Sequence, residues 1–233
     1  MLEVRQLHIS RGGKAVVHGV DFDVAPGEIV AMLGPNGAGK SSIVLALAGA
    51  IPRSQGHVRM GGATLDGLAP DAVRRAGLAI VPEGHHVLGS LSVRDNLRAA
   101  ALVLPANEVE PAIERVLTTF PELTPRLEQQ GRSLSGGQKQ MVCMAQALLA
   151  RPRVLVVDEL SLGLSPLVVK RLADVIQSVA SEGVGVLLIE QFTTLALRLA
   201  QRAVVLQRGR IAWSGTAATL RDKPEILQAS YLA

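Results

Sequence analysis

Eight residues, Gly34, Pro35, Asn36, Gly37, Ala38, Gly39, Lys40 and Ser41, constrain this chain more than any other stretch. They follow a short apolar run, Ile29–Leu33, and precede a segment predicted to be helical, Ser41–Ala50. The pattern is G-x-x-x-x-G-K-[ST] in a strand–loop–helix setting. Glycines let such a loop turn several backbone N–H groups inward as an anion nest. The helix N-terminus adds a partial positive charge. Lys40 then sets its ammonium against the β- and γ-phosphates, and the Ser41 hydroxyl ligates Mg²⁺. Ser42 extends the cradle into the helix. A glycine-rich loop that merely exposes a lysine is the alternative, and the complete pattern in its full context argues against it. The stretch predicts a nucleotide site.

The rest of the chain supplies a fold to hold that loop. Val20, Phe22 and Val24 alternate with Asp21 and Asp23, as a half-buried antiparallel strand does. Ile29–Leu33, Leu78–Val81, Val154–Val157 and Val184–Ile189 are instead continuous apolar runs, which suit strands covered on both faces of a parallel sheet. Between the last two, Val168, Leu172, Val175, Ile176 and Val179 follow helical spacing over Leu167–Ala180. Strand, helix and strand repeat, so the core is α/β. From Ser92 to Ala150 the rhythm changes to helices. Ser92 is a cap with Asp95 three residues on, Asn107–Phe120 is a second helix, and a third starts near Ser135. Ala203–Leu206 and Arg210–Trp213 flank Gly209 as a closing hairpin.

Two further segments carry chemistry. The strand Val154–Val157 runs into Asp158 and Glu159 at its carboxyl edge, where a ligand crevice is expected in such sheets. Beside a phosphate loop, Asp158 suits the Mg²⁺ shell and Glu159 suits a base that polarises water. A solvated acidic pair is the bland reading, and it loses ground once the phosphate loop is complete. Leu134-Ser135-Gly136-Gly137-Gln138 opens the third helix with a capping serine and two glycines, a second anion site. Two γ-phosphate sites in one chain make sense if two chains meet head to tail and complete each other.

With these motifs together, the chain resembles the ATP-binding subunits of ABC transporters over essentially its whole length. Walker A (Gly34–Ser41), the signature (Leu134–Gln138) and Walker B (Val154–Glu159) stand in that family's order and spacing. The resemblance implies ATP and Mg²⁺ as ligands and an Mg-dependent ATPase activity. It implies a P-loop NTPase (RecA-like) core with a parallel sheet, an N-terminal antiparallel β subdomain and an inserted helical signature subdomain. The expected division is one ABC ATPase domain over 1–233, with core at 1–84 and 151–233 and the helical insert at 85–150. Ser41, Asp158 and Glu83 would hold Mg²⁺, with Glu159 orienting the water. Gln191 would stand near the γ-phosphate where most members place histidine, and Ser135, Gly136, Gly137 and Gln138 would meet the partner's nucleotide.

Glu83 replaces the family's usual glutamine. The runs Val81-Pro82-Glu83-Gly84, Ser161-Leu162-Gly163-Leu164-Ser165-Pro166 and Ile189-Glu190-Gln191 resemble the branch that serves branched-chain amino-acid importers, specifically its LivF-type ATPase. Arg11 stands where an aromatic ring usually stacks on adenine, and a guanidinium there either keeps planar contact or weakens binding. Leu160 and Ser165 replace the common proline and aspartate.

Composition bounds the partners. Hydrophobic residues make up 48% and charged residues 19%, which excludes a disordered or fibrous chain. No apolar run reaches membrane-spanning length, and the start lacks a basic segment followed by an apolar one, so neither a membrane anchor nor a secretory signal is expected. The implied partners are separate transmembrane permeases, a second ABC ATPase chain, identical or homologous, and indirectly a periplasmic or extracellular solute-binding protein. The implied location is peripheral, on the cytoplasmic face of the cell's inner membrane. A net charge of +4 and five aromatic residues (three Phe, one Trp, one Tyr) supply no platform for nucleic acid. A urea or short-amide importer and a soluble ABC ATPase acting on ribosomes or DNA are the alternatives. A single cysteine, Cys143, reads as a small core residue. His85 and His86 read as a solvated loop rather than a metal site, and Trp213 as hairpin packing.

Overall fold

The computed structural model describes residues 1–84, 86–191 and 193–232, with side chains through residue 229. The chain begins with β1 (Leu2–Arg11) and β2 (Lys14–Val24); β3 (Ile29–Leu33) then leads through the glycine loop into α1 (Lys40–Leu47). Next come β4 (Gln55–Met60), β5 (Ala63–Thr64), α2 (Pro70–Arg75) and β6 (Leu78–Val81). Three helices follow with short 3-10 turns between them: α3 (Val93–Ala100), α4 (Val109–Thr119) and α5 (Gly136–Leu148). The chain then alternates through β7 (Val154–Asp158), α6 (Pro166–Ser181), β8 (Gly185–Glu190) and α7 (Thr193–Leu199). It closes with β9 (Arg202–Gln207), β10 (Arg210–Thr216), α8 (Ala217–Asp222) and α9 (Pro224–Leu232).

Two sheets result. The antiparallel one has the order β2-β1-β4-β5. The larger has the order β10-β9-β3-β8-β7-β6, parallel except for the β9–β10 hairpin. Strands β3, β7 and β8 are buried along their whole length, as their unbroken apolar runs require. Side-chain alternation splits the interior in two. Ile29, Ala31, Leu33, Leu155, Val157 and Leu188 face one apolar cluster with Leu97, Ile113, Met144 and Ile176 from the helices. Val30, Met32, Val156 and Leu187 face another, with Ile43 of α1 and Leu7, Val20 and Val58 of the antiparallel sheet. The helical stretch after Ser92 thus shares its apolar cluster with one face of the main sheet.

Local chemistry explains the boundaries. The Ser92 hydroxyl accepts the Asp95 N–H at 3.0 Å and caps α3. Helix α4 starts at Val109, after a 3-10 turn at Ala106–Glu108, and stops before Phe120 because Pro121 forces its predecessor out of helical backbone. Helix α1 begins at Lys40 and ends at Leu47, so the predicted Ser41–Ala50 span is shifted toward the loop. Cys143 is buried, and burial pushes its thiol up to about 12, so it is an inert core group. The Trp213 ring is half-buried on β10 and lies over Gly215, where a side-chain carbon would come within 2.6 Å of it.

Candidate active site

All five parallel strands present their carboxyl ends at one edge of the sheet. Register places Leu33 beside Glu190 and Asp158 beside Ile189. The residues that follow these strands, Gly34, Glu159, Gln191 and the turn carrying Glu83, therefore gather at that edge.

The loop after β3 is shaped by its neighbours. At Gly34 an added carbon would stand 2.2 Å from the Leu206 carbonyl oxygen, so only glycine lets the loop lie against β9. Gly39 has φ +109 and packs against Val16 and Val17 of β2. The Ala38 carbonyl accepts the Gly209 N–H at 2.9 Å, which ties the loop to the hairpin turn. Because Gly39 is the N-cap of α1 and brings no side chain, the first N–H groups of the helix remain available to an anion. Pro35 is half-buried, and Asn36, Gly37 and Ser41 are exposed. Ser42 is half-buried. The Lys40 ammonium curls over the loop and donates to the Gly34 carbonyl at 2.7 Å and the Pro35 carbonyl at 3.1 Å.

Around Lys40 the structure assembles three carboxylates distant in sequence. Burial lowers the Lys40 proton affinity, against the pull of Glu159, Asp158 and Glu83. Asp158 is 4% exposed. Burial pushes its carboxyl up to about 6, with Glu159 and Glu83 pushing the same way, Lys40 opposing and Glu190 adding. Glu159 is raised by burial and then by Glu83, with Lys40 again opposing. Its backbone is left-handed, φ +53, and its N–H donates to the Ile189 carbonyl at 2.9 Å. Glu83 is exposed in the turn after β6, and Gln191 is exposed directly after β8.

The donor set suits Mg²⁺. Like-charged carboxylates crowding one lysine are relieved by a divalent cation, and Ser41 adds a hydroxyl in the first turn of α1. Among the described residues no three His, Cys, Asp or Glu side chains close on one point. Mg²⁺ characteristically takes one or two carboxylates and completes its shell with phosphate oxygens and water.

The segment 134–138 lies elsewhere. Ser135 and Gln138 form a capping box: Gln138 N–H donates to the Ser135 hydroxyl at 3.3 Å, and Ser135 N–H donates to Gln138 Oε1 at 2.9 Å. Ser135 and Gly136 are exposed, and at Gly137 an added carbon would meet Val168 of α6 at 2.8 Å. Among the described residues no hydrogen bond or ion pair joins this segment to the 34–42 loop. Arg11 is exposed at the β1–β2 turn, opposite Lys14, and its strand partner β2 is the wall behind Gly39. His86 is exposed, and His85 lies outside the described residues.

Glycine loop, buried lysine and paired strand-end carboxylates define a P-loop nucleoside-triphosphatase. The ABC transporter family profile matches residues 17–161, and the chain belongs to that family as one of its ATP-binding ATPases. It is 37% identical to the high-affinity branched-chain amino acid transport ATP-binding protein BraG of Pseudomonas aeruginosa, over 98% of both chains. It is 33% identical to the probable branched-chain amino acid transport ATP-binding protein LivF of Archaeoglobus fulgidus, over 94% of both. The lipopolysaccharide export ATP-binding protein LptB of Acidithiobacillus ferridurans is 30% identical, over 98% of this chain and 95% of that one. A solved structure of an ATP-binding subunit of an ABC transporter matches with a TM-score of 0.85 at 31% identity, over 99% of this chain and 95% of that one.

One buried acid at this edge escaped the sequence reading. Glu190 is buried at the end of β8 and holds Ser161, and its signal was a lone acid closing an otherwise apolar strand.

Proposed function

We propose that this chain is the ATP-hydrolysing subunit of a multi-subunit importer for branched-chain or other hydrophobic amino acids. The observation that carries the chemistry is the meeting of Lys40 with Asp158, Glu159 and Glu83 at the edge where the glycine loop opens. Cargo class rests on the similarity to BraG and LivF.

In this reading the backbone N–H groups of residues 36–42 cradle the phosphates, and Lys40 exchanges its loop carbonyls for the β- and γ-phosphate oxygens. Arg11 would stand at the adenine, where its guanidinium either keeps planar contact or weakens binding. Ser41, Asp158 and Glu83 would hold Mg²⁺, which when bound would offset the charge on those phosphates. Glu159, with its raised proton affinity, takes the proton of the attacking water. Gln191 orients toward the γ-phosphate. Ser135, Gly136, Gly137 and Gln138 leave their solvent-facing helix end free for the nucleotide of a second ATPase chain docked head to tail.

Closure and reopening of that pair would drive separate transmembrane permeases, fed by a solute-binding protein. No helix among the described residues is long and apolar enough to cross a membrane; in this reading the chain is a peripheral subunit at the cytoplasmic face of the membrane. Residues 85–150 would move as the helical insert on a core of 1–84 and 151–233.

The LptB similarity supports a second reading, lipopolysaccharide export. Tagging the chain in its native cell, solubilising the membranes gently and identifying co-purifying proteins by mass spectrometry decides between them. Permeases with a second ATPase and a solute-binding protein support import. Lipopolysaccharide-export membrane subunits would move the chain to that system, and soluble partners alone would overturn the transport assignment.

A further inference from the structure

A further buried acid stands at the edge of the sheet that carries the nucleotide site. Glu190, the last residue of β8, is 1% exposed. Its carboxylate accepts the Ser161 N–H at 3.1 Å. The Ser161 hydroxyl is shared between both carboxylate oxygens, at 3.1 and 3.0 Å. One residue earlier on the same strand, the Ile189 carbonyl accepts the Glu159 N–H at 2.9 Å. Two successive residues of β8 thus grip the chain on either side of Leu160, whose side chain is fully buried.

What they grip is unusual backbone. Glu159 sits at φ +53, a left-handed conformation that disfavours a residue with a Cβ and persists only where its surroundings hold it. Directly after the grip the chain is exposed at Leu162 and turns through Gly163 at φ +71. A buried carboxylate is a costly way to end a strand, and an apolar side chain would fill the same space without desolvating a charge. The arrangement makes sense if the direction of the chain at 159–161 matters.

We propose that Glu190 is a positioning residue for ATP hydrolysis. Through Ser161 it fixes the left-handed backbone at Glu159, and so the direction in which that carboxylate meets water. It also locks the loop after β7 to Gln191, its own neighbour in sequence. The proposal rests on Glu159 being the group that activates water. The grip contributes to catalysis by geometry: a small misplacement of a catalytic group lowers turnover by up to about a hundredfold while leaving substrate binding intact.

The test uses the full-length chain with four variants: Ser161→Ala, Ser161→Thr, Glu190→Gln and Glu159→Gln. Steady-state ATP hydrolysis, binding of a fluorescent ATP analogue and the melting temperature are measured for each. Ser161→Ala is expected to lower kcat by about tenfold to a hundredfold, with KM and analogue affinity within about twofold and melting little changed. Ser161→Thr keeps the hydroxyl and is expected to keep the rate. Glu190→Gln keeps an acceptor without the charge and falls between. Wild-type kcat in both Ser161→Ala and Glu190→Gln would overturn the proposal. So would a loss of rate that comes only with lost nucleotide affinity and lower melting, since that is structural support. If Glu159→Gln hydrolyses ATP at the wild-type rate, the base assignment fails and the proposal falls with it; a dead Glu159→Gln beside fully active Ser161→Ala and Glu190→Gln refutes the positioning role alone.

Discussion

Replacing Asp158 by asparagine should stabilise the protein without nucleotide or metal while destroying its turnover. The carboxyl is 4% exposed, and burial, reinforced by Glu159 and Glu83, carries it from 3.8 to about 6. At about 1.4 kcal/mol per tenfold change in proton affinity, that rise corresponds to about 3 kcal/mol of native-state cost once the group is ionised. The attraction of Lys40 is already contained in that net rise, so the expected gain is about 3 kcal/mol. The sign follows from proton binding. Between about pH 4 and pH 6 the folded chain holds a proton at Asp158 that the unfolded chain has released. The contribution of Asp158 to stability therefore falls as pH rises through that window and stays low above it. The variant's advantage should be full near neutral pH and should vanish at about pH 4. Urea unfolding with a chelator present, followed at pH 7.5, 5 and 4, reads this directly. A variant no more stable than the parent at pH 7.5, or one whose advantage grows toward acid, would refute the reasoning.

Two other substitutions probe the same cradle. Lys40→Ala should abolish ATP binding measured by calorimetry, because its buried ammonium is the one cationic side chain of the 34–42 loop; normal affinity would sink the loop assignment. Gly34→Ala drives a methyl group toward the Leu206 carbonyl, so the loop must leave β9. It should lower ATP affinity by at least about tenfold and cost about 1–3 kcal/mol of stability, in the range of overpacking. Unchanged binding and melting would show that the loop is not held there.

Some of this was legible in the residues and some was not, for physical reasons. The phosphate loop is a local motif whose glycines serve a local backbone, so the string alone located it. The buried strands β3, β6, β7 and β8 announced themselves as apolar runs because both of their faces are covered. Strand β1 did not. Leu2 and Val4 point inward, and then the alternation slips so that Leu7 and Ile9 do. The cause is a bulge at Arg5–Gln6, with Gln6 at φ +48 and its N–H donating to Asp21 at 2.8 Å. A period-two pattern broken by one residue does not read as a strand. The short β4, β5 and α2 were likewise too brief to show periodicity. Asp158 and Glu159 were legible as a strand-end pair, whereas their electrostatic meeting with Glu83 depends on the pairing of β6 with β7, a long-range fact. The hold of Glu190 on Ser161 spans the β7–β8 pairing and was illegible for the same reason.

The most direct measurement is the mass and nucleotide content of Glu159→Gln in the presence of Mg-ATP, by size exclusion with light scattering, beside its rate of phosphate release. If Glu159 activates water in a site completed by the signature segment of a second chain, the variant binds ATP and releases no phosphate, and it runs at twice its monomer mass where that second chain is a copy of this one. Phosphate release at the wild-type rate, or failure to bind ATP, would contradict the account.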